Sequence, residues 1–285
     1  MKIGVNVPNF GPGTRPGVLR EWARVVEGLG FDALMVSDHV AVTPDVAQQY
    51  PAPFYEPFTT LSWLAGVTER IRLGTTVLIL PYRHPLQVAR MAANLNDLSG
   101  GRLVLGVGVG WARQEFAALG VPFHRRGRLT DEHLHAIREA WADEADYRAG
   151  AIPIWIGGNS DAAVERSIRH GDAWHPLRFR LGWLRDVLAR RAAAGVAMPP
   201  ALAPRIELRL DDAPVEDPDR PAGVGSLEQI IGDLTELRAL GAETVVLDPY
   251  RGDPDETLRP DRAWHALASV LAAWNDITTN ESETS

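Results

Sequence analysis

Short apolar runs rich in Val and Ile alternate along this chain with longer stretches in which apolar residues return every three or four positions. The first pattern is that of a buried strand and the second that of an amphipathic helix, so the alternation predicts a parallel sheet covered by helices. Strands are expected at Ile3 to Val7, Ala33 to Ser37, Ile71 to Ile79, Leu103 to Val107, Ile152 to Ile156, Ala173 to His175, Arg205 to Leu210 and Thr244 to Leu247. Each has a helical stretch behind it, from Pro16 to Leu29, closed by Gly30, through to about Arg262 to Trp274. Eight such units fit closure into a (β/α)8 TIM barrel better than an open doubly wound sheet. The expected organisation is one barrel domain over residues 1–275 and a flexible tail over 276–285. TPDVAQQYPAPFYEP is too long for a simple turn and is a candidate lid. DDAPVEDPDRPAGVG is an acidic, proline-rich surface loop.

Composition narrows the chemistry more than the fold. At 285 residues, 45% hydrophobic and 23% charged, the chain can bury a large core. Cysteine is absent, which excludes disulfides, thiolate metal sites and Cys nucleophiles together. Lys2 is the only lysine, so a pocket lysine for Schiff-base chemistry is excluded as well. Arginines are scattered among carboxylates at net charge −8, which argues against nucleic acid as a partner. No apolar run reaches membrane-spanning length and the first residues lack signal-peptide character, so a cytoplasmic protein without a membrane partner is expected.

In a barrel the reactive groups sit at the carboxyl ends of the strands. There the chain places Asn9 and Phe10, then Asp38 and His39, then Thr75, Thr76 and Val77, then Gly108, Gly110 and Trp111, then Gly157, Gly158, Asn159 and Ser160. This set is glycine-rich and small, with one imidazole, and suits a large planar ligand with a phosphorylated tail. His39 is the group able to move a proton near neutral pH. On residues alone it is equally a satisfied polar group at a strand end, with Asp38 capping a turn. Gly157 to Ser160 precede a helix, where free backbone N–H groups and the dipole attract an anion, while Asn159 or Ser160 can also cap it.

Three patterns resemble the luciferase-like monooxygenase superfamily, especially its coenzyme F420-dependent oxidoreductases: Ser37-Asp38-His39, GTTVLILPYRHP followed by GGRLVLGVGVGW, and IPIWIGGNSDAA. With LGVPFHRRGRLTDEHL and TVVLDPY, the resemblance covers nearly the whole chain in order. It implies a homodimer acting on a small organic substrate, with His39 beside the reactive ring as the catalytic residue. The ring would rest on a non-proline cis peptide at Thr76-Val77. Asp38, Thr75, Thr76, Val77, Gly108, Gly110, Trp111, Gly157, Gly158, Asn159 and Ser160 would form the cofactor-binding set. F420 is the expected cofactor, with FMN the alternative, because Val109 stands where flavin-dependent members can carry a phosphate-binding arginine. Where some deazaflavin dehydrogenases place a glutamate this chain has Trp111, and its nearest carboxylate is Glu115. Only ADEADYRAGA intervenes between the helix ending near Trp141 and the fifth strand. Relatives usually carry a longer insertion there, often a hairpin over the barrel mouth, so either an open site or cover from elsewhere is expected.

Two other classes compete. A metal-dependent hydrolase could use Asp131, Glu132, His133 and His135, but positions two apart face different sides of a helix, and no metal site is expected. A cofactor-binding barrel without turnover is the second, motivated by the short segment before the fifth strand.

Overall fold

The computed structural model describes the backbone of residues 1–283 and the side chains of residues 1–279. Among these, eight strands build a barrel: β1 (Lys2–Asn6), β2 (Ala33–Val36), β3 (Arg72–Thr75), β4 (Leu103–Gly108), β5 (Ile154–Gly157), β6 (Ala173–His175), β7 (Arg205–Glu207) and β8 (Thr244–Asp248). All neighbours are parallel, in the order β6-β5-β4-β3-β2-β1-β8-β7. Parallel bridges Trp174 to Leu202 and Leu177 to Arg205 close the ring between β6 and β7. The expected barrel is the fold. The long helices are α1 (Pro16–Leu29), α2 (Pro57–Ala65), α3 (Pro85–Leu98), α4 (Arg126–Trp141), α5 (Asp161–His170), α6 (Leu181–Ala193), α7 (Leu227–Ala239) and α8 (Pro260–Glu283).

The helix starts and stops follow local chemistry. In α1, Pro16 occupies the first turn, where its missing N–H costs nothing, and Leu19, Trp22, Ala23 and Val26 form the buried stripe. Gly30 ends the helix at φ 97°, a conformation that a side chain would oppose.

Strand residues divide by the two-residue period of a pleated strand. Ile3, Val5, Leu34, Val36, Leu103, Leu105, Ile154, Ile156, Val245 and Leu247 belong to the core beneath the helices. The alternate residues Ala33, Met35, Val104, Trp155, Ala173, Ala203 and Val246 form a second, smaller cluster that fills the barrel. Continuing that inner series toward the strand ends gives Asn6, Thr76, His175, Arg205 and Asp248, all buried. The barrel is thus capped by a polar layer at the end where chemistry is expected.

Several expectations are corrected. The third strand breaks at Thr76-Val77 and resumes only over Leu78–Ile79. The stretch expected as the seventh strand is also broken: Arg209–Leu210 leaves the barrel and pairs with Val224–Gly225. The last helix continues to Glu283, through most of the presumed tail, and residues 284–285 of that tail lie outside the described residues. The segment before β5 is short, but it opens nothing. A helix returns the chain to the start of the next strand, so this segment lies at the amino ends of the barrel strands. There it packs on α3, with Arg90 paired to Asp146 at 2.6 Å and Asn96 Nδ2 donating to Ala149 O at 3.0 Å.

Cover at the reactive end comes from the loop between β2 and α2. Phe54 bridges to Phe10, Gly11 N donates to Pro53 O, and Asn9 both donates to and accepts from the backbone of Tyr55. The presumed lid is therefore fastened to the β1 end.

Candidate active site

An open cleft of about 690 Å³ lies at the carboxyl ends of the strands. It brings together Asp38, His39, Thr76, Val77, Gly108, Gly110, Trp111, Gly157 and Gly158 of the expected set, and adds Tyr50, Leu177 and Arg205. Thr75, Asn159 and Ser160 stand apart from it. Thr75 faces the helix layer and gives its hydroxyl to Gly106 O at 2.6 Å. Asn159 ties the β6 loop, with Nδ2 on Leu177 O and Oδ1 on Leu177 N, and Ser160 caps α5 by accepting from Ala163 N. Asp38 lines the cleft as a residue, but its carboxylate holds Arg83 at 2.7 and 2.8 Å and the Ile79 amide at 2.8 Å. It is a structural ion pair.

His39 is 5% exposed and its imidazole is fixed by a residue absent from the expected binding set. Glu115, fully buried in the short helix Arg113–Ala118, meets His39 Nδ1 at 2.6 Å. Its other oxygen accepts from the amides of Val40 and Ala41, and Tyr82 OH donates at 2.9 Å. Burial works to raise the Glu115 pKa, but the hydrogen bond and charge of His39 and the two amides outweigh it and hold the carboxyl below its ordinary value. Burial, then Glu115, pushes the Tyr82 phenol up, so it stays a donor. An ionised Glu115 can only accept, which makes His39 Nδ1 the donor and leaves Nε2 without a protein partner on the cleft side. The rings of Tyr50, Phe54 and Trp111 surround this imidazole, with centroids 5.3, 5.5 and 5.7 Å away.

The floor is the Thr76-Val77 segment, whose peptide bond is cis. The flanking glycines make room for it. A Cβ at Gly108 would lie 2.5 Å from Val77 Cγ2, and one at Gly157 2.7 Å from Val77 Cγ1. The glycine series thus serves close packing around Val77 as well as the flat floor of the cleft. Arg205 Nη1 donates to Thr76 O at 2.6 Å, while Nε and Nη2 of the same guanidinium hold Asp248. Asp248 is wholly buried and also meets Asn6 and Arg178. Burial raises its pKa, and Arg205 and Arg178 more than reverse this, keeping it ionised.

His175, at the end of β6, is the second imidazole. Its Nδ1 meets the carbonyl of Ala203, so Nδ1 carries the proton and Nε2 accepts from Thr76 Oγ1 at 2.8 Å. Burial depresses its pKa from 6.5 to about 4, which removes it from proton traffic at neutral pH. Between those values the unfolded chain takes up a proton that the folded chain refuses, so stability falls as pH drops from 6.5 toward 4. His175→Gln is expected to flatten this dependence. Urea midpoints at pH 5 and 7 that differ as much in the variant as in the parent would remove His175 as the source.

The four residues suggestive of a metal site diverge. Asp131 pairs with Arg166, Glu132 with Arg128 and His135 with Glu139, and His133 meets Leu80 O. No group of three or more His, Asp or Glu side chains among the described residues is placed to hold a metal ion, and no described helix is long and apolar enough to cross a membrane.

Residues 1–212 match the model of the luciferase-like monooxygenase family. The chain belongs to that family. Among relatives of this luciferase-like protein is the F420-dependent glucose-6-phosphate dehydrogenase of Kineococcus radiotolerans, 29% identical over 180 residues, covering 56% of this chain and 52% of that one. The chain thus spans about half of that relative's length, and 62% of the length of another curated relative that it matches. Two solved structures share the fold. An F420-dependent secondary alcohol dehydrogenase in complex with an F420-acetone adduct has TM-score 0.71 at 17% identity, covering 94% of this chain and 98% of that one. The oxygenating constituent of 3,6-diketocamphane monooxygenase from Pseudomonas putida, in complex with FMN, has TM-score 0.72 at 17% identity, covering 95% and 96%.

Proposed function

We propose that this luciferase-like protein is an oxidoreductase that moves a hydride between coenzyme F420 and a small organic substrate. The observation that carries the reading is the His39–Glu115 pair, which presents one imidazole nitrogen to a glycine-floored cleft. The residues present suit a planar ring: Val77, Gly108 and Gly157 offer a surface free of projecting polar groups, and His39 stands at its edge. When bound there, the deazaflavin supplies two-electron hydride chemistry. The chain's own part is to orient, to exclude water and to handle the proton. His39 Nε2 accepts or returns the proton of the substrate's hydroxyl or carbonyl oxygen while Glu115 stabilises the imidazolium. Tyr50, Phe54 and Trp111 dry the space around that nitrogen.

F420 is preferred to FMN because the cleft carries Val109 beside the β4 glycines, and Arg205, the arginine among its lining residues, is engaged by Asp248 and Thr76. Titration of the protein with each cofactor, read by fluorescence, tests this. The expected result is a dissociation constant at least about tenfold lower for F420, equivalent to about 1.4 kcal/mol. Tighter binding of FMN would overturn the cofactor assignment, and tight F420 binding without turnover on any alcohol or ketone would leave a binding protein.

A further inference from the structure

A second open cleft, of about 980 Å³, lies between α1, the residues that follow β7 and β8, and the start of α8. Its floor is apolar, built from Trp22, Leu208 and Ala263. Four arginines stand around it, and two of them are engaged. Arg209 holds Asp211 at 2.9 Å and Arg251 holds Glu256. Asp253, the other carboxylate at the rim, accepts from Asp255 N and starts the turn Pro254–Leu258. Arg259 and Arg262 have no side-chain partner among the described residues. Two guanidinium groups without an ion-pair partner therefore stand at the rim of a cleft with a mixed polar and apolar lining, near the carboxylate of Asp253.

Tyr250 supplies an independent sign. It lines the same cleft, is 2% exposed, and its hydroxyl has no hydrogen-bond partner. Buried polar groups are nearly always paired, so an orphan beside a cavity points to a missing partner. Burial, with nearby Glu256 next in weight, pushes the phenol up to about 12, so this hydroxyl remains a donor at neutral pH. The helix α8 opens at Pro260, which has no N–H, and Arg262 N donates to Arg259 O at 3.3 Å, so this helix end brings its dipole to the same rim. Tyr250 stacks on Tyr50 at 6.3 Å, and because Tyr50 lines the His39 cleft, the pair forms a partition between the two spaces.

We propose that this cleft is a second ligand site, which takes a small organic anion with an apolar body, a carboxylate or a phosphate monoester. The charged end is held by Arg259 and Arg262 at the start of α8, and the body lies over Trp22 and Leu208. Isothermal titration of the full chain with benzoate, phenyl phosphate and benzyl alcohol tests the site. At least one aromatic anion binds, the neutral alcohol binds far more weakly, and the tighter anion names the head group. Replacing both guanidinium groups, R259A with R262A, lowers that affinity about tenfold or more without changing the melting temperature, because both side chains are exposed. Saturating F420 or FMN leaves the binding unchanged. No binding of either anion at about 10 mM, equal affinity in the double variant, or displacement by the cofactor overturns the proposal.

Discussion

Replacing His39 with Asn is expected to lower turnover by on the order of 10² to 10⁴, while melting temperature and cofactor affinity stay close to the parent values. The reason lies in which nitrogen is lost. An Asn amide reaches roughly where Nδ1 stands and can donate to Glu115 Oε2, the bond made in the parent at 2.6 Å. Glu115 keeps the amides of Val40 and Ala41 and the Tyr82 hydroxyl, so the buried carboxylate is not stranded. What disappears is Nε2 and with it the proton acceptor at the cleft. In rapid mixing the loss should fall on the hydride step, with binding of substrate little changed. A variant that turns over normally would remove His39 from the mechanism, and one that fails to fold would make it a structural residue.

The largest stability effect is expected at Arg205, beneath the cleft. Arg205→Met leaves Asp248 buried with Asn6 and the more exposed Arg178 as its remaining partners, and Thr76 O without its donor. Removing one member of a buried pair typically costs about 3 to 5 kcal/mol, because a charge is left uncompensated. The pH dependence gives a second reading. In the parent, Asp248 has a lowered folded pKa, so its contribution is present above the ordinary value of 3.8 and is lost as pH falls through the lower folded value. In the variant the burial that opposes ionisation prevails, so stability should decline as pH rises toward neutrality. Adding Asp248→Asn should recover part of the loss. Denaturation of both variants at pH 5 and 7 checks the sign, and a single variant within about 0.5 kcal/mol of the parent at both values, the usual surface-mutation range, would exclude the buried-charge account.

The sequence made the barrel legible because its evidence is local. Each strand carries its own Val and Ile run, and each helix its own stripe, so the count of units survives errors at their ends. What the sequence concealed depends on residues far apart. Asp38 reads as a ligand-facing group beside His39 until Arg83, 45 positions on, takes its carboxylate. Glu115 was visible as the nearest carboxylate beyond the glycine series, yet nothing local tells that its helix points it at His39, 76 positions earlier. The polar layer had a weak signal: Arg205 and Asp248 are charges inside otherwise apolar strands. Such residues are seldom buried unless paired. The break at Thr76-Val77 has no signature in residue type, and its position came from resemblance.

The return segment between α4 and β5 has a bearing on how this scaffold can vary. It lies at the opposite pole from His39, and it joins two elements whose packing is fixed by α3 and by the barrel wall. Its length is therefore uncoupled from the chemistry. This is the seam at which a foreign module could be grafted, or a longer excursion could arise in descent, with the reactive pole left as it was.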